Sequence, residues 1–255
     1  MDDKTVLGVD VGASGIKGAI VDINTGELLT ERVRLETPQP ATPEAVAETL
    51  RTFARMHNWD GIIGCGFPAI VKKGVARSAA NIDAGWIGTN IETLFADVTG
   101  CKVHALNDAD AAGIAEMHFG LGKGKDGTVV VITIGSGLGS ALFYDGHLVP
   151  NMEFGHLYMH GQIAERYASN SARKKEDLSW EEWGSRFDEY LHHLQRLLCP
   201  DYFILGGGIS KRFEEYSDFL TVTTSVSPAM LYNNAGAVGA AYYAYELETD
   251  VRDKI

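Results

Sequence analysis

Cysteine and positive charge are scarce in this sequence. The three cysteines, Cys65, Cys101 and Cys199, are far apart and odd in number. That pattern excludes a disulfide framework and suits reduced thiols in apolar or strand-like surroundings. Lys and Arg number 22 against 34 Asp and Glu, a formal net charge of −12. Nucleic-acid footprints are basic, so no nucleic-acid partner is expected. No apolar run approaches the roughly 20 residues of a membrane helix, and Met1-Asp2-Asp3-Lys4 lacks the basic start and apolar stretch of a signal peptide. A cytoplasmic protein without a membrane partner is expected. Gly-x-x-x-x-Gly-Lys-Ser/Thr is absent as well, which removes the P-loop.

What is present is one pattern used twice, an apolar strand running through a glycine-rich loop into a second strand. It occurs from Val6 to Asp22 and again from Val129 to Phe143, with Asn107-Asp108 between. Gly135-Ser136-Gly137-Leu138-Gly139 has the spacing of a dinucleotide loop, but Ser140 to Tyr144 reads as a strand where that motif requires a helix. Either loop alone is compatible with an ordinary tight hairpin. As a pair, they offer backbone N–H groups free of Cβ obstruction, suited to holding a phosphate chain from both sides. Asp10 supplies a carboxylate for Mg²⁺ or its water shell, and Gly12, Ser14 and Lys17 follow within one turn. The second loop places the Thr133 and Ser136 hydroxyls around Gly135 and Gly137. Phosphoryl transfer needs little beyond positioning and charge neutralisation, and this inventory meets that need.

The remaining pattern is α/β. Strands are expected at Thr5–Val11, Gly18–Ile23, Leu28–Leu35, Gly61–Phe67, Val103–Leu106, Thr128–Ile134 and Tyr202–Leu205. Helices are expected after Thr42-Pro43, from Asp108 to Phe119, from Trp180 to Leu198 and from Ala235 to Tyr245, the last rich in small residues. Two halves that each begin with strand, glycine loop and strand indicate an internal duplication. The expected domains are residues 1–108 and 109–255, with the last helix able to pack back on the first.

At these residues the chain resembles the ROK family of sugar kinases and repressors, within the actin-like, ribonuclease-H-like ATPase superfamily. Asp10-x-Gly12-x-Ser14-x-x-Lys17 is similar to the family's first phosphate loop and Ile134 to Gly139 to its second. Asn107-Asp108-Ala109-Asp110-Ala111-Ala112 is similar to its catalytic stretch, Glu153-Phe154-Gly155-His156 to its signature, and Leu205 to Ser210 to its nucleotide-side loop. Ser78 to Asp83, Thr37 to Glu44 and Gly207 to Arg212 resemble the polyphosphate-using glucokinase subgroup. Most of the family follows the Gly-His with a cysteine cluster that binds zinc, whereas this chain has no cysteine between Cys101 and Cys199. The subgroup shares that omission, and no zinc site is expected.

The resemblance implies a glucose 6-kinase drawing on inorganic polyphosphate and on ATP, with Mg²⁺ as cofactor and a homodimeric state. It makes Asp108 the catalytic base. A carboxylate of ordinary pKa is a weak base, so it should orient the hydroxyl and take the proton late. Asp also caps helices well, and both roles are compatible. Asn81, Asn107, Asp108, Glu153, His156 and Glu165 match sugar-binding positions, although a histidine such as His156 can equally be structural. Gly207, Gly208 and Lys211 would lie on the nucleotide or polyphosphate side, or the two glycines close a turn. Lys123, Lys125, Arg173, Lys174, Lys175, Lys211 and Arg212 are candidates for a track along a long phosphate polymer. Two alternatives stay open. One is an ATP-dependent kinase for mannose, fructose or an N-acetyl hexosamine. The other is a non-catalytic sugar-responsive regulator, disfavoured by a first strand beginning at Thr5 with no DNA-binding module ahead of it.

Overall fold

A strand can be apolar on both faces only where both are covered, and β1 (Thr5–Val11) is buried along most of its length. It lies mid-sheet in this computed structural model, which describes residues 4–80 and 82–252. β2 (Ile16–Asp22) pairs with it antiparallel, in a register that sets Asp10 opposite Lys17. β3 (Val33–Leu35) is shorter than expected. Upstream of it, the Thr30 hydroxyl accepts the Ile20 N–H that a ladder partner would take (3.1 Å), leaving one isolated bridge, Val21 to Leu28.

α1 (Pro43–Met56) starts as the sequence indicates, with the Thr42 side chain accepting the Ala45 N–H and proline in the first turn. It buries Val46, Ala47, Leu50, Phe53 and Ala54. β4 (Ile63–Phe67) adds to β1 in parallel, and a small hairpin follows, β5 (Val71–Lys72) and β6 (Val75–Ala76). α2 (Ile91–Thr99) is not among the expected helices, although Ile91, Leu94, Phe95 and Val98 recur at helical spacing, Asn90 caps its start and Gly100, at φ 74°, ends it. β7 (Val103–Asn107) completes the sheet order β3-β2-β1-β4-β7 and runs directly into α3 (Asp108–Phe119).

The second half repeats the wiring. β8 (Thr128–Ile134), β9 (Leu138–Tyr144) and β10 (His147–Val149) form the meander. The hairpin of β11 (Tyr158–Met159) and β12 (Gln162–Ile163) follows, then three helices, α4 (Ala164–Ala168), α5 (Asn170–Lys175) and α6 (Trp180–Leu198). β13 (Tyr202–Gly206) and β14 (Ser225–Pro228) join in parallel, giving the order β10-β9-β8-β13-β14. Both sheets are therefore an antiparallel meander extended by two parallel strands. Trp183, Phe187, Tyr190, Leu191 and Leu194 of α6 fill the core of this half.

α7 (Ala235–Arg252) closes the chain and packs on β1 and β4. The approach is backbone to backbone, since a Cβ at Gly8 would overlap the Ala237 carbonyl and one at Gly64 the Ala240 carbonyl. The chain divides into two compact units, Met1–Ala115 with Asn234–Ile255, and Glu116–Asn233. The division falls inside α3 rather than at residue 108, because the first turns of α3 pack under α7, where a Cβ at Gly239 would overlap the Ala111 carbonyl. Cys65 and Cys101 are buried, whereas Cys199 is exposed. Cys199 ends α6 in a left-handed conformation at φ 46°.

Candidate active site

In the first unit the loop between β1 and β2 is tied down by its carbonyls. Gly15 O accepts the Gly12 N–H (3.1 Å), Gly12 O accepts the Thr37 hydroxyl (2.5 Å) and Ser14 O accepts Arg34 Nη2 (2.7 Å). Thr37 and Arg34 are supports that the loop motif does not contain. Gly15 makes room for the guanidinium, since a Cβ there would lie 2.5 Å from Arg34 Nε. Ser14 stays exposed.

Asp10 ends this arrangement on the strand side. Its carboxylate is 3.8 Å from Lys17 Nζ. Burial pushes its pKa above the ordinary value, and the nearby charges of Lys17 and Arg32 only partly offset that. Gly236, in the first turn of α7, lies against it, because a Cβ there would come within 2.8 Å of the carboxylate carbon. A helix N-terminus favours an anion at that place.

Asn107 and Asp108 meet where β7 becomes α3, and the capping role falls to Asn107. Its Oδ1 accepts the N–H groups of Ala109 (2.8 Å) and Asp110 (3.1 Å), and its Nδ2 donates to Ala69 O (3.2 Å). Asn107 is buried, and these bonds leave one amide proton uncommitted. Asp108 is the first helical residue and half-buried, so the N-cap is Asn107 and not Asp108. Asn81 lies outside the described residues. Two positions on in the sequence, Asp83 caps the short turn Ala84–Trp86 through the Gly85 N–H (2.7 Å). A cavity of about 290 Å³ in this unit is lined by Ala13 of the loop, by Gln39, Pro40 and Ala41, and by Ile82 and Asp83.

In the second unit four of the expected positions come together. Glu165, on α4, lies over the second loop, where a Cβ at Gly137 would overlap its Oε2. His156 Nε2 is 3.9 Å from Glu165 Oε1. Glu153 belongs to the same group, with its pKa raised mainly by burial, lowered by His156 and raised again by Glu165. The segment is held by Ser140, whose hydroxyl donates to Met152 O (2.6 Å) and accepts the Phe154 N–H (2.9 Å). His156 is about half exposed with a carboxylate beside it, which departs from a buried structural histidine. Glu153 precedes the 3₁₀ turn Phe154–His156, and His156 is its last residue. Among the described residues no group of three or more His, Cys, Asp or Glu is placed to hold a metal ion.

Gly135 donates to Gly137 O (3.0 Å) and accepts the Ser171 N–H (3.3 Å), which joins the second loop to α5. Ser136 is exposed at the loop tip. Thr133 pairs in register with Gly206, so Thr133, the loop and Gly207 share the C-terminal end of β8 and β13. Gly207 must be glycine, since its φ is +79° and a Cβ would sit 2.5 Å from Ile134 O. Gly208 opens a 3₁₀ stretch to Glu215 rather than an α-helix. Lys211 Nζ stands 5.2 Å from the Tyr232 ring centroid.

The basic residues do not form one track. Lys123 and Lys125 precede β8 and lie at the end opposite the loop, with Lys125 over the ring of Tyr202 (3.6 Å), the first residue of β13. Arg173 covers the Trp180 ring (4.0 Å) and Arg212 pairs with Glu215 (2.8 Å). Lys174 and Lys175 are exposed on α5, the helix bonded to the second loop.

The description of the ROK family matches residues 6–170 of this chain. The chain belongs to the ROK family. It is 47% identical over 236 residues, 92% of its length and 89% of the relative's, to the polyphosphate glucokinase of Mycobacterium tuberculosis (strain CDC 1551 / Oshkosh). The crystal structure of inorganic polyphosphate/ATP-glucomannokinase from Arthrobacter sp. strain KM superposes with a TM-score of 0.92 at 46% identity, covering 96% of this chain and 99% of that one. A ROK family glucokinase from Streptomyces griseus, in complex with glucose and AMPPNP, superposes with a TM-score of 0.82 at 24% identity over 95% and 99% of the two chains, which speaks to the fold alone. The duplicated sheets are thus those of the actin-like ATPase fold seen in ROK proteins.

Proposed function

We propose that this ROK protein transfers a phosphoryl group from inorganic polyphosphate, and also from ATP, to the 6-hydroxyl of glucose. The observation that carries the reading is the assembly of Glu153, His156 and Glu165 against the second glycine loop. Side chains able to exchange hydrogen bonds with hydroxyls lie there beside a backbone able to cradle phosphate. Recognition of hydroxyls needs donors and acceptors held in a fixed array. Glu153 and Glu165 accept from sugar hydroxyls, and the imidazole of His156 and the remaining N–H of Asn107 complete the set with Asn81. The Arthrobacter relative's name joins glucose and mannose, which supports mannose as a second acceptor.

Asp108 orients the 6-hydroxyl and accepts its proton as the bond to phosphorus forms. Its place at the head of α3, fixed by the Asn107 cap, holds it still. Gly12, Ser14 and Lys17 from one loop and Thr133, Gly135, Ser136 and Gly137 from the other bind the donor phosphates, with Gly207, Gly208 and Lys211 beside the outgoing part of the donor. A lone carboxylate such as that of Asp10 fits Mg²⁺, which is held by one or two carboxylates together with substrate phosphates and water. Asp10 is the residue that would hold it, through water, and Mg²⁺ when bound neutralises the charge of the transferring group. No zinc takes part in this reading. A cytoplasmic homodimer is part of the same proposal.

One assay tests the whole. At fixed glucose and with Mg²⁺, polyphosphate should give a higher kcat/KM than ATP, and chelation should abolish turnover with both. Turnover with ATP alone would reassign the protein to an ATP-dependent hexokinase.

A further inference from the structure

Glu116 is the first residue of the second unit and is only 1% exposed. Its carboxylate accepts the backbone N–H groups of Met230 (3.1 Å) and Leu231 (2.7 Å). Burying a carboxylate is costly unless such bonds satisfy it, so the site is built for this side chain. The turn after α3 folds over it as well. Gly120 and Gly122 both donate to Glu116 O (3.1 and 2.9 Å), and a Cβ at Gly120 would overlap Glu116 Oε2.

The location gives the bonds their meaning. The chain passes between its two units twice, from Ala115 to Glu116 and from Asn233 to Asn234. Glu116 stands on the first passage and grips the second at Leu231, just before it leaves. Each passage leads on to a carboxylate of the candidate site. Along α3, Glu116 is joined to Asp108 by one continuous helix, about 12 Å at the usual rise per residue. From Leu231 the chain reaches Gly236, which lies against Asp10, within the first turn of α7.

We propose that Glu116 is a positioning residue that binds the two passages into a single pivot, so that a change in the second unit on sugar binding reaches Asp108 and Asp10 in step. The proposal rests on the functional reading above. Without the carboxylate, each passage could adjust alone, and the two carboxylates would lose their common reference.

A second buried carboxylate provides the control. Asp188 accepts the N–H groups of Thr221 (2.7 Å) and Val222 (3.3 Å) in the same chemical manner, but on α6 and away from both passages. The test compares Glu116→Gln, Gly120→Ala and Asp188→Asn with the unaltered protein, measuring kcat with saturating glucose, glucose Kd by calorimetry and Tm. Glu116→Gln and Gly120→Ala should lower kcat about tenfold with polyphosphate and with ATP alike, while Kd moves less than about threefold. Asp188→Asn should lower Tm and leave kcat unchanged. Should Glu116→Gln fail to fold, Gly120→Ala keeps the carboxylate and displaces it, and gives the same reading. The proposal is overturned if the Glu116 or Gly120 variant turns over within about twofold of the unaltered protein well below its Tm, or if Asp188→Asn loses kcat equally. Failure of the unaltered protein to use glucose and polyphosphate would remove the functional reading instead. The pivot is then decided by the same ratios with the sugar and donor the protein does use.

Discussion

The carboxylate of Glu165 occupies the space a side chain at Gly137 would need. A residue assigned to the sugar and a loop assigned to phosphate are thereby fitted to one another. Gly137→Ala should push the flexible end of Glu165 aside at little cost to the fold, because no backbone is in the way. The expected outcome is a Tm near normal with a glucose KM raised about tenfold, the loss of roughly one charged hydrogen bond. Steady-state kinetics beside a melting curve decides it, and an unchanged KM would separate Glu165 from the sugar.

Asp108→Asn retains size and the Asn107 cap, so the start of α3 should persist. Loss of the base should lower kcat by at least about 10²-fold while glucose still binds. Calorimetric titration with glucose and single-turnover phosphorylation measure the two separately, and near-normal turnover would take the role of base away from Asp108.

Asp10 makes a prediction about stability and pH. Its pKa is raised in the folded chain, chiefly by burial. The stability linked to its proton is therefore fully present below the ordinary Asp pKa and is lost as pH rises through the raised value. At neutral pH the charged form costs stability, and Asp10→Asn should melt a few degrees higher, about 1 kcal/mol, while losing activity. The gain should vanish as pH falls toward 4. A lower Tm for Asp10→Asn at neutral pH would show that the ion pair with Lys17 outweighs burial.

Glu153 titrates by the same logic but reports on the sugar. Burial raises its pKa, with His156 opposing and Glu165 reinforcing. If its charged form accepts from a glucose hydroxyl, KM for glucose should climb as pH drops through the raised pKa, starting above the range of an ordinary carboxylate. Glu153→Gln should have a higher KM at neutral pH and a flatter profile. A profile as steep as that of the unaltered protein would assign the titration to another group.

Donor use should respond to α5 and not to the far end of β8. Neutralising Lys174 and Lys175 together should reduce kcat/KM for long polyphosphate more than for ATP and flatten its salt dependence, since a polymer engages several cations at once. Neutralising Lys123 should leave both donors unaffected. Equal losses for the two donors in the α5 variant would place the polymer elsewhere.

Much of this protein could be read directly from residue order. Apolar runs marked β1, β4, β7 and β8, Thr42-Pro43 marked the start of α1, and the repeated strand, glycine loop and strand marked the duplication. These features rest on local rules of periodicity, capping and turn chemistry, which operate within a few neighbouring residues. α2 is equally local in its signals, with Ile91, Leu94, Phe95 and Val98 at helical spacing between Asn90 and Gly100, although it is not among the expected helices. Sequence order could say that Asn107-Asp108 sits at a strand-to-helix junction, but not which of the two caps the helix. That was settled by where the amide of Asn107 found Ala69. Tertiary structure alone decided that Arg34 and Thr37 support the first loop, that Gly236 leans on Asp10, that Lys123 and Lys125 stand at the wrong end of their strand, and that Glu116 grips residues more than a hundred positions away. Such contacts depend on which backbones can approach closely and which buried polar groups must find a partner, and those requirements exist only once the sheets and helices have packed.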